Sequence, residues 1–206
     1  MICLLKPSVT IVIALAICFT VGQNQLLPRD NSVFSRSDAA THYAVDGYVL
    51  PYPKGTSCKL LQGYRGPYGH KGHAEFAYDF QMTIGSPVVA VRDGEVVKAV
   101  ESNTDSTRIA GQENVVVIRH SDGTFARYYH LTKDGSLVSV GESVTQGSKI
   151  ALSGDSGASA GAHLHFDVTK GCYEWGCQTT EIQFINSKEN PLKQEQVYEA
   201  LETPPK

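Results

Sequence analysis

Two histidines separated by one residue are the strongest indication of chemistry in this chain. His163 and His165 flank Leu164 in a run of residues that predicts a β-strand. Alternate side chains of a strand point to the same face, so both imidazoles are expected on one face, with Leu164 and Phe166 in the core. The strand rise puts the imidazoles about 7 Å apart, close enough to hold one metal ion, or an ion and its water. Two histidines on a solvated strand face give the same pattern, so the pair alone leaves both interpretations open.

A second group of candidate ligands lies in residues 69–80, which read GHKGHAEFAYDF. Asp79 stands among aromatic residues that alternate along a predicted strand. A carboxylate in such an apolar run rarely stays buried without a partner, and a metal ion is one such partner. His70 and His73 precede it, and His130 ends a further aromatic run just before a turn. The sequence therefore offers several histidines and one aspartate for a common site.

Short β-rich runs separated by glycine-containing turns must position these residues. Strands are predicted at residues 87–91, 95–100, 114–120, 124–131, 138–144, 149–152 and 162–169. The Asp93-Gly94 turn predicts that the first two form a hairpin. Regular short strands of this kind indicate an antiparallel sheet folded on itself, or a small sandwich. A short helix is expected only at the C-terminal end, over residues 193–201.

Composition and charge exclude one class of function. The chain has 206 residues, of which 18 are basic and 21 acidic, giving a net charge of -3. It carries no basic stripe, which argues against a nucleic-acid partner. The apolar and charged fractions, 41% and 19%, are those of an ordinary globular protein.

The N-terminal end has the pattern of an export signal. Lys6 precedes an almost unbroken apolar run over residues 9–21, which predicts a signal peptide at 1–22 and a periplasmic or extracellular protein. The run is short for a membrane span, although a retained N-terminal anchor is the alternative. Signal removal leaves Cys58, Cys172 and Cys177, which allow three pairings, and the pair Cys172–Cys177 is preferred because it flanks a short loop. Residues 23–47 are interpreted as a linker or arm, 48–192 as the main domain and 193–206 as a tail.

Taken in order, these motifs resemble the lysostaphin-type zinc endopeptidases, the M23 peptidase family. The matching stretches are 70–80, 85–96, 128–131, 140–147 and 153–166, and together they span about residues 65–170. The resemblance implies a mainly β, antiparallel domain of the duplicated hybrid motif. It also implies a zinc metalloendopeptidase that hydrolyses peptide bonds in bacterial peptidoglycan cross-links by attack of a zinc-bound water. The alternatives are a non-catalytic regulator or partner of another wall hydrolase, and a zinc-binding module without hydrolysis.

The same resemblance assigns roles to individual residues. Asp79 and His165 are the expected zinc ligands, and His163 and His130 the expected catalytic residues. His163 would move the water's proton to the leaving amine, and His130 would donate to the oxyanion. The third ligand is His70, nine positions before Asp79, or alternatively His73, six before it; we prefer His70.

Further expectations concern partners and the remaining histidines. The predicted partner is a peptidoglycan peptide, with no nucleic acid and no membrane span after signal cleavage, and the protein is expected to be a monomer. His42 and His120 match no family position and are expected at the surface.

Overall fold

The computed structural model of the chain describes residues 47–203. The predicted signal peptide (1–22) and arm (23–47) lie outside the described residues, apart from Gly47, and so does His42. Among the described residues, no helix has the length and apolar content needed to cross a membrane.

Eleven strands form two antiparallel sheets in the described part of the chain. The strands are β1 (Ser57–Gln62), β2 (Tyr78–Phe80), β3 (Pro87–Val89), β4 (Gly94–Val100), β5 (Val115–Arg119), β6 (Thr124–Tyr129), β7 (Leu131–Ser136), β8 (Ser143–Val144), β9 (Lys149–Ser153), β10 (Leu164–Lys170) and β11 (Val197–Glu199). The larger sheet has eight strands in the order β11-β1-β2-β10-β6-β5-β4-β8, and the smaller has three in the order β3-β9-β7. A single 3₁₀ turn, Gly72–Ala74, is the only helical segment of residues 47–203. The predicted mainly β, antiparallel architecture is therefore confirmed.

Alternation along β2 and β10 separates the core from the candidate site. Leu164 and Phe166 on β10 and Tyr78 and Phe80 on β2 are completely buried and belong to one hydrophobic cluster. Burying side chains of this size contributes about 1.5–3 kcal/mol each, which fixes the face that each strand turns inward. The residues between them must then point to the opposite face, as predicted for His165.

The predicted hairpin at Asp93-Gly94 is wrong. β3 pairs with β9 in the smaller sheet, whereas β4 pairs with β5 and β8 in the larger one, so the turn carries the chain from one sheet to the other. Gly94 is required by close packing, because a Cβ at this position would lie 2.4 Å from the carbonyl oxygen of Arg119 on β5. The Asp-Gly sequence therefore serves a close approach of two strands and not a two-residue hairpin loop.

The predicted C-terminal helix is also wrong, since Val197–Glu199 form β11. This strand pairs with β1, where Tyr198 lies opposite Cys58. Tyr198 and Ala200 are buried while Val197 and Glu199 are exposed, which is the period of two that a strand requires. Over so few residues, the helical and strand periods are difficult to separate from sequence.

The cysteines divide into one pair and one buried thiol. Cys172 and Cys177 form a disulfide with their Cα atoms 6.0 Å apart, which is the preferred pairing from sequence. Cys58 is free and buried on β1. The disulfide closes a short loop that follows β10.

Candidate metal centre

A row of four side-by-side residues crosses the middle of the larger sheet. Gln62 on β1 lies opposite Asp79 on β2, and Asp79 lies opposite His165 on β10. His165 in turn lies opposite Tyr129, the last residue of β6. Strand register alone therefore brings the predicted aspartate beside the second histidine of the His-Leu-His tripeptide.

Three of the predicted ligands meet at this row. His165 Nδ1 lies 2.9 Å from Asp79 Oδ1, and His70 Nε2 lies 3.2 Å from Asp79 Oδ2. One donor atom from each of these three residues lies within 4.8 Å of the others. His70 reaches the row from the loop between β1 and β2 and is only 2% exposed. Among the described residues, His70, Asp79 and His165 are the histidine and acidic side chains that lie close enough together to bind one metal ion.

The tautomer of His70 leaves a ligand atom free. Its Nδ1 lies 2.9 Å from the carbonyl oxygen of Gly63, which can only accept, so Nδ1 carries the proton. Nε2 is then an acceptor, and it is buried without a hydrogen-bond partner. Such an orphaned acceptor costs free energy unless something fills its lone pair. Two imidazole nitrogens and one carboxylate oxygen suit Zn²⁺ and leave one position of a tetrahedral ion open.

The electrostatics of the row favour positive charge. Burial acts to raise the pKa of the Asp79 carboxyl, but the neighbouring imidazoles of His165 and His70 outweigh it and hold that pKa well below its usual range. Burial acts to lower the pKa of His165, yet Asp167 and Asp79 raise it to about 10. Two carboxylates thus favour a cationic group here, a preference that a divalent cation satisfies by displacing the proton.

A buried ion pair supports His165 from behind. Asp167 Oδ2 lies 3.4 Å from His165 Nε2, the nitrogen that faces away from Asp79. Arg127 donates two hydrogen bonds to Asp167, from Nε to Oδ1 at 2.7 Å and from Nη2 to Oδ2 at 2.8 Å. Both side chains are almost completely buried. A carboxylate behind a histidine in this way fixes the ring's orientation and raises its basicity as a ligand.

Sequence reasoning missed Asp167 and Arg127, although a signal for both was present. His163, just before β10, and His165 and Asp167 on β10 alternate along the extended chain, which places all three on one side of it. Arg127 lies directly opposite Asp167 in the register of β6 and β10. Pairing β6 with β10 would therefore have predicted a charged pair, Arg127 and Asp167, on the face that carries the histidines.

The two predicted catalytic histidines lie side by side next to the row. The ring centroids of His130 and His163 are 4.7 Å apart. His163 Nδ1 lies 2.8 Å from the carbonyl oxygen of Gly161, and its Nε2 lies 3.8 Å from Asp79 Oδ1. His130 directly follows β6 with a positive φ of 61°, and its Nδ1 lies 2.7 Å from the carbonyl oxygen of Ser156. Burial, with the neighbouring imidazoles, lowers the pKa of His130 to about 4.

The remaining histidines have other surroundings. His73, the alternative ligand, is outside the group of three, and its ring packs against Trp175 at 5.2 Å. His120 was expected at the surface, and this prediction is wrong. It is only 3% exposed, because its ring packs against Tyr48 and its Nδ1 bonds to the carbonyl oxygen of Asp93 at 2.8 Å.

All five predicted site residues open onto one cleft of about 900 Å³: His70, Asp79, His130, His163 and His165. Two exposed aromatic side chains, Tyr68 and Trp175, also line it. Sequence reasoning missed both, since an aromatic residue in a loop carries no periodic signal. The site is therefore an open cleft, wide enough for a chain-like ligand to reach the histidines.

Comparison with known proteins places the chain among peptidases. The sequence model of Peptidase family M23 matches residues 73–177, just over half the chain. Lysostaphin from Staphylococcus staphylolyticus is 37% identical over 152 residues, which are 72% of this chain and 28% of that protein. The peptidoglycan DD-endopeptidase ShyA from Vibrio cholerae is 42% identical over 90 residues, or 44% of this chain and 19% of that protein. The chain thus spans less than a third of these relatives' length.

A solved structure is also similar. The crystal structure of a zinc-containing peptidase from Vibrio cholerae has 32% sequence identity and a TM-score of 0.47, over 60% of this chain and 37% of that one. The family match begins at His73 and leaves out His70, so it does not choose between the two histidines. The matched stretch contains Asp79, His130, His163 and His165. The chain belongs to the M23 peptidase family.

Proposed function

We propose that this protein is a zinc metalloendopeptidase that hydrolyses peptide cross-links of bacterial cell-wall peptidoglycan. The observation that carries the proposal is the meeting of His70, Asp79 and His165 in an open cleft, with two more imidazoles beside them. The name of one relative, the peptidoglycan DD-endopeptidase ShyA, supports the substrate class.

The proposed ligands are His70 through Nε2, Asp79 through its carboxylate and His165 through Nδ1. When bound there, zinc supplies Lewis acidity toward a scissile carbonyl and lowers the pKa of water to about 7. His163 presents Nε2 to the cleft, because its Nδ1–H donates to Gly161. This nitrogen is placed to take a proton from the attacking water and return it to the leaving amine.

The surroundings of His130 refine the role that the family resemblance gives it. Its Nδ1–H donates to Ser156, so the neutral ring presents Nε2 as an acceptor. It can donate to an oxyanion only after that nitrogen has received a proton. Because its pKa is lowered to about 4, the ring of His130 is neutral in the resting site. We therefore propose that His130 receives a proton only during the reaction, as the partner of His163, whose ring lies 4.7 Å away.

The proposal includes the location and organisation of the chain. We propose a signal peptide at 1–22, an arm at 23–47, a peptidase domain at 48–192 and export to the periplasm or outside the cell, as a monomer. The Cys172–Cys177 disulfide suits such an oxidising compartment. A non-catalytic regulator is the alternative, and a lost ligand would favour it; the chain has a residue at each proposed position.

The test is solubilisation of purified peptidoglycan with and without a chelator. We expect activity that the chelator abolishes and added Zn²⁺ restores. His130→Ala should retain zinc and lose activity, which distinguishes an enzyme from a zinc-binding module. The proposal would be overturned if the chelator did not reduce solubilisation, or if no peptidoglycan were solubilised after zinc had been restored.

A further inference from the structure

The only tryptophan of the chain is exposed at the wall of the cleft. Trp175 has 70% of its surface exposed and lines the cleft with the candidate site. Its ring nevertheless has fixed neighbours: His73 at 5.2 Å and Tyr129 at 6.3 Å, both nearly perpendicular to it. A large apolar ring that is held in place and still faces solvent is typical of an anchor at a binding surface.

The loop that carries this ring is held from below by a buried guanidinium. Arg127 Nη1 donates to the carbonyl oxygen of Glu174 at 2.7 Å and to that of Tyr173 at 3.3 Å. The disulfide closes the same loop, and Thr169 Oγ1 donates to the carbonyl oxygen of Cys172 at 2.6 Å. The backbone on both sides of the exposed ring is therefore fixed.

The same guanidinium connects the loop to the candidate metal centre. The remaining nitrogens of Arg127 bind Asp167, and Asp167 faces the ring of His165. Arg127 is only 1% exposed, so its geometry is set by these partners on both sides. The position of the loop that carries Trp175 relative to the metal centre is thus fixed through Arg127 and Asp167.

The charged side chain next to Trp175 in the loop, Glu174, is already paired. Lys98 Nζ lies 3.1 Å from Glu174 Oε2, and both residues line the cleft. Recognition beside Trp175 then depends on apolar and amide contacts more than on charge. This favours an uncharged peptide segment, whose amide planes and small side chains stack on an indole face.

We propose that Trp175 is a specificity-determining residue that holds an uncharged segment of the substrate peptide against the wall of the cleft. The inference rests on the proposed function and deepens it. Tyr173 is the matched control, since it lies in the same loop but packs against Phe125, at 5.2 Å, and does not line the cleft.

The first test measures hydrolysis of sugar-free peptides, pentaglycine and a D-alanyl cross-link peptide, by the zinc-loaded enzyme. For the peptide that is cleaved, Trp175→Ala should raise KM about tenfold, the range of a modest binding anchor, with kcat within about a factor of two. Trp175→Phe should recover most of the loss, and Tyr173→Ala should resemble the wild type. Zinc content and Tm measured alongside exclude a loss of structure.

The second test uses the fluorescence of the sole tryptophan and does not depend on turnover. The same peptides are titrated into His163→Ala, with binding measured independently by calorimetry. We expect the emission of Trp175 to shift in proportion to occupancy. This readout survives if hydrolysis itself fails, so failure of the proposed function and failure of this inference are distinguishable.

Three results would overturn the inference. One is a Trp175→Ala variant with unchanged KM. Another is an effect seen only with intact glycan-containing peptidoglycan, which would assign the ring to a sugar. The third is calorimetric binding of a peptide without any change in emission.

Discussion

At the residue scale, His70 and His73 differ in which residues their rings face. His70 has one nitrogen fixed by Gly63 and the other aimed at Asp79. His73 lies beneath Trp175. The proposed ligand set therefore depends on which of these two histidines, both in the loop between β1 and β2, lies beside Asp79.

Replacing each of these two histidines by alanine should separate their roles. We expect His70→Ala to weaken zinc binding by more than about 100-fold, because even groups behind a ligand contribute 10–100-fold. His73→Ala should leave zinc affinity within about threefold. Competition with a chromogenic chelator measures both, and the opposite order would assign the ligand to His73.

Asp167 tests whether the group behind His165 acts on the metal. Asp167→Asn removes the negative charge beside His165 Nε2 and keeps an acceptor for Arg127, so we expect zinc affinity to fall about 10–100-fold. The matched control is Asp155→Asn, which disturbs another buried aspartate with an arginine partner, Arg108 at 2.6 Å. Both variants should lower Tm, but only Asp167→Asn should weaken zinc. Equal zinc affinities in the two variants would reduce Asp167 to a structural role.

At the scale of elements, the sequence predicts which residues of β2 and β10 are buried and which face the site. It does not predict the paths of the turns and loops around these two strands. Aromatic and aliphatic residues at every second position fix which face is buried, and the candidate residues at the intervening positions then share the other face. The hairpin at Asp93-Gly94 failed because Gly94 serves a contact with β5. Likewise, the path of the loop that carries His70 depends on a non-local bond between Arg65 N and the Glu75 carbonyl oxygen, which no local pattern encodes.

Gly154, just after β9, is the point at which packing between elements controls the site. Its carbonyl oxygen accepts the N–H of His163 at 3.2 Å, and a Cβ would lie 2.3 Å from Thr132 N and 2.5 Å from Thr132 Cα. Because those atoms are backbone, Gly154→Ala should shift the connection to His163 and cost about 1–3 kcal/mol of stability. We expect a lower Tm together with a fall in kcat.

Gly141→Ala is the comparison for that substitution. Its Cβ meets open space, but φ is +89°, so it should cost about 1–2 kcal/mol through backbone strain alone. Its kcat should not change. If Gly154→Ala lowered Tm with a normal kcat, the packing at this point would not control the position of His163.

At the scale of the whole molecule, one buried histidine lies outside the cleft and links stability to pH. His120 is 3% exposed, and burial lowers its pKa, with the positive charge of Arg92 acting in the same direction. The carbonyl oxygen of Asp93 and the charges of Asp122 and Asp93 act against this shift, and the ring of Tyr48 covers one side. The folded state therefore resists protonation of this ring.

The sign of the pH effect follows from the lower pKa of His120 in the folded protein than in the unfolded chain. Below about pH 6.5 the unfolded chain takes up a proton on His120 while the folded protein does not, so this residue destabilises the fold increasingly as pH falls. His120→Asn does not titrate and keeps a donor for the Asp93 carbonyl oxygen. It should be less stable than the wild type at pH 8, and the difference should shrink or reverse by pH 5. Chemical denaturation of the zinc-loaded wild type and of the zinc-loaded variant, from pH 8 to pH 5, gives the free energy of unfolding of each against pH. The other histidines are common to both proteins and cancel in the difference. Parallel curves would mean that His120 takes up its proton equally well in both states, contrary to its burial.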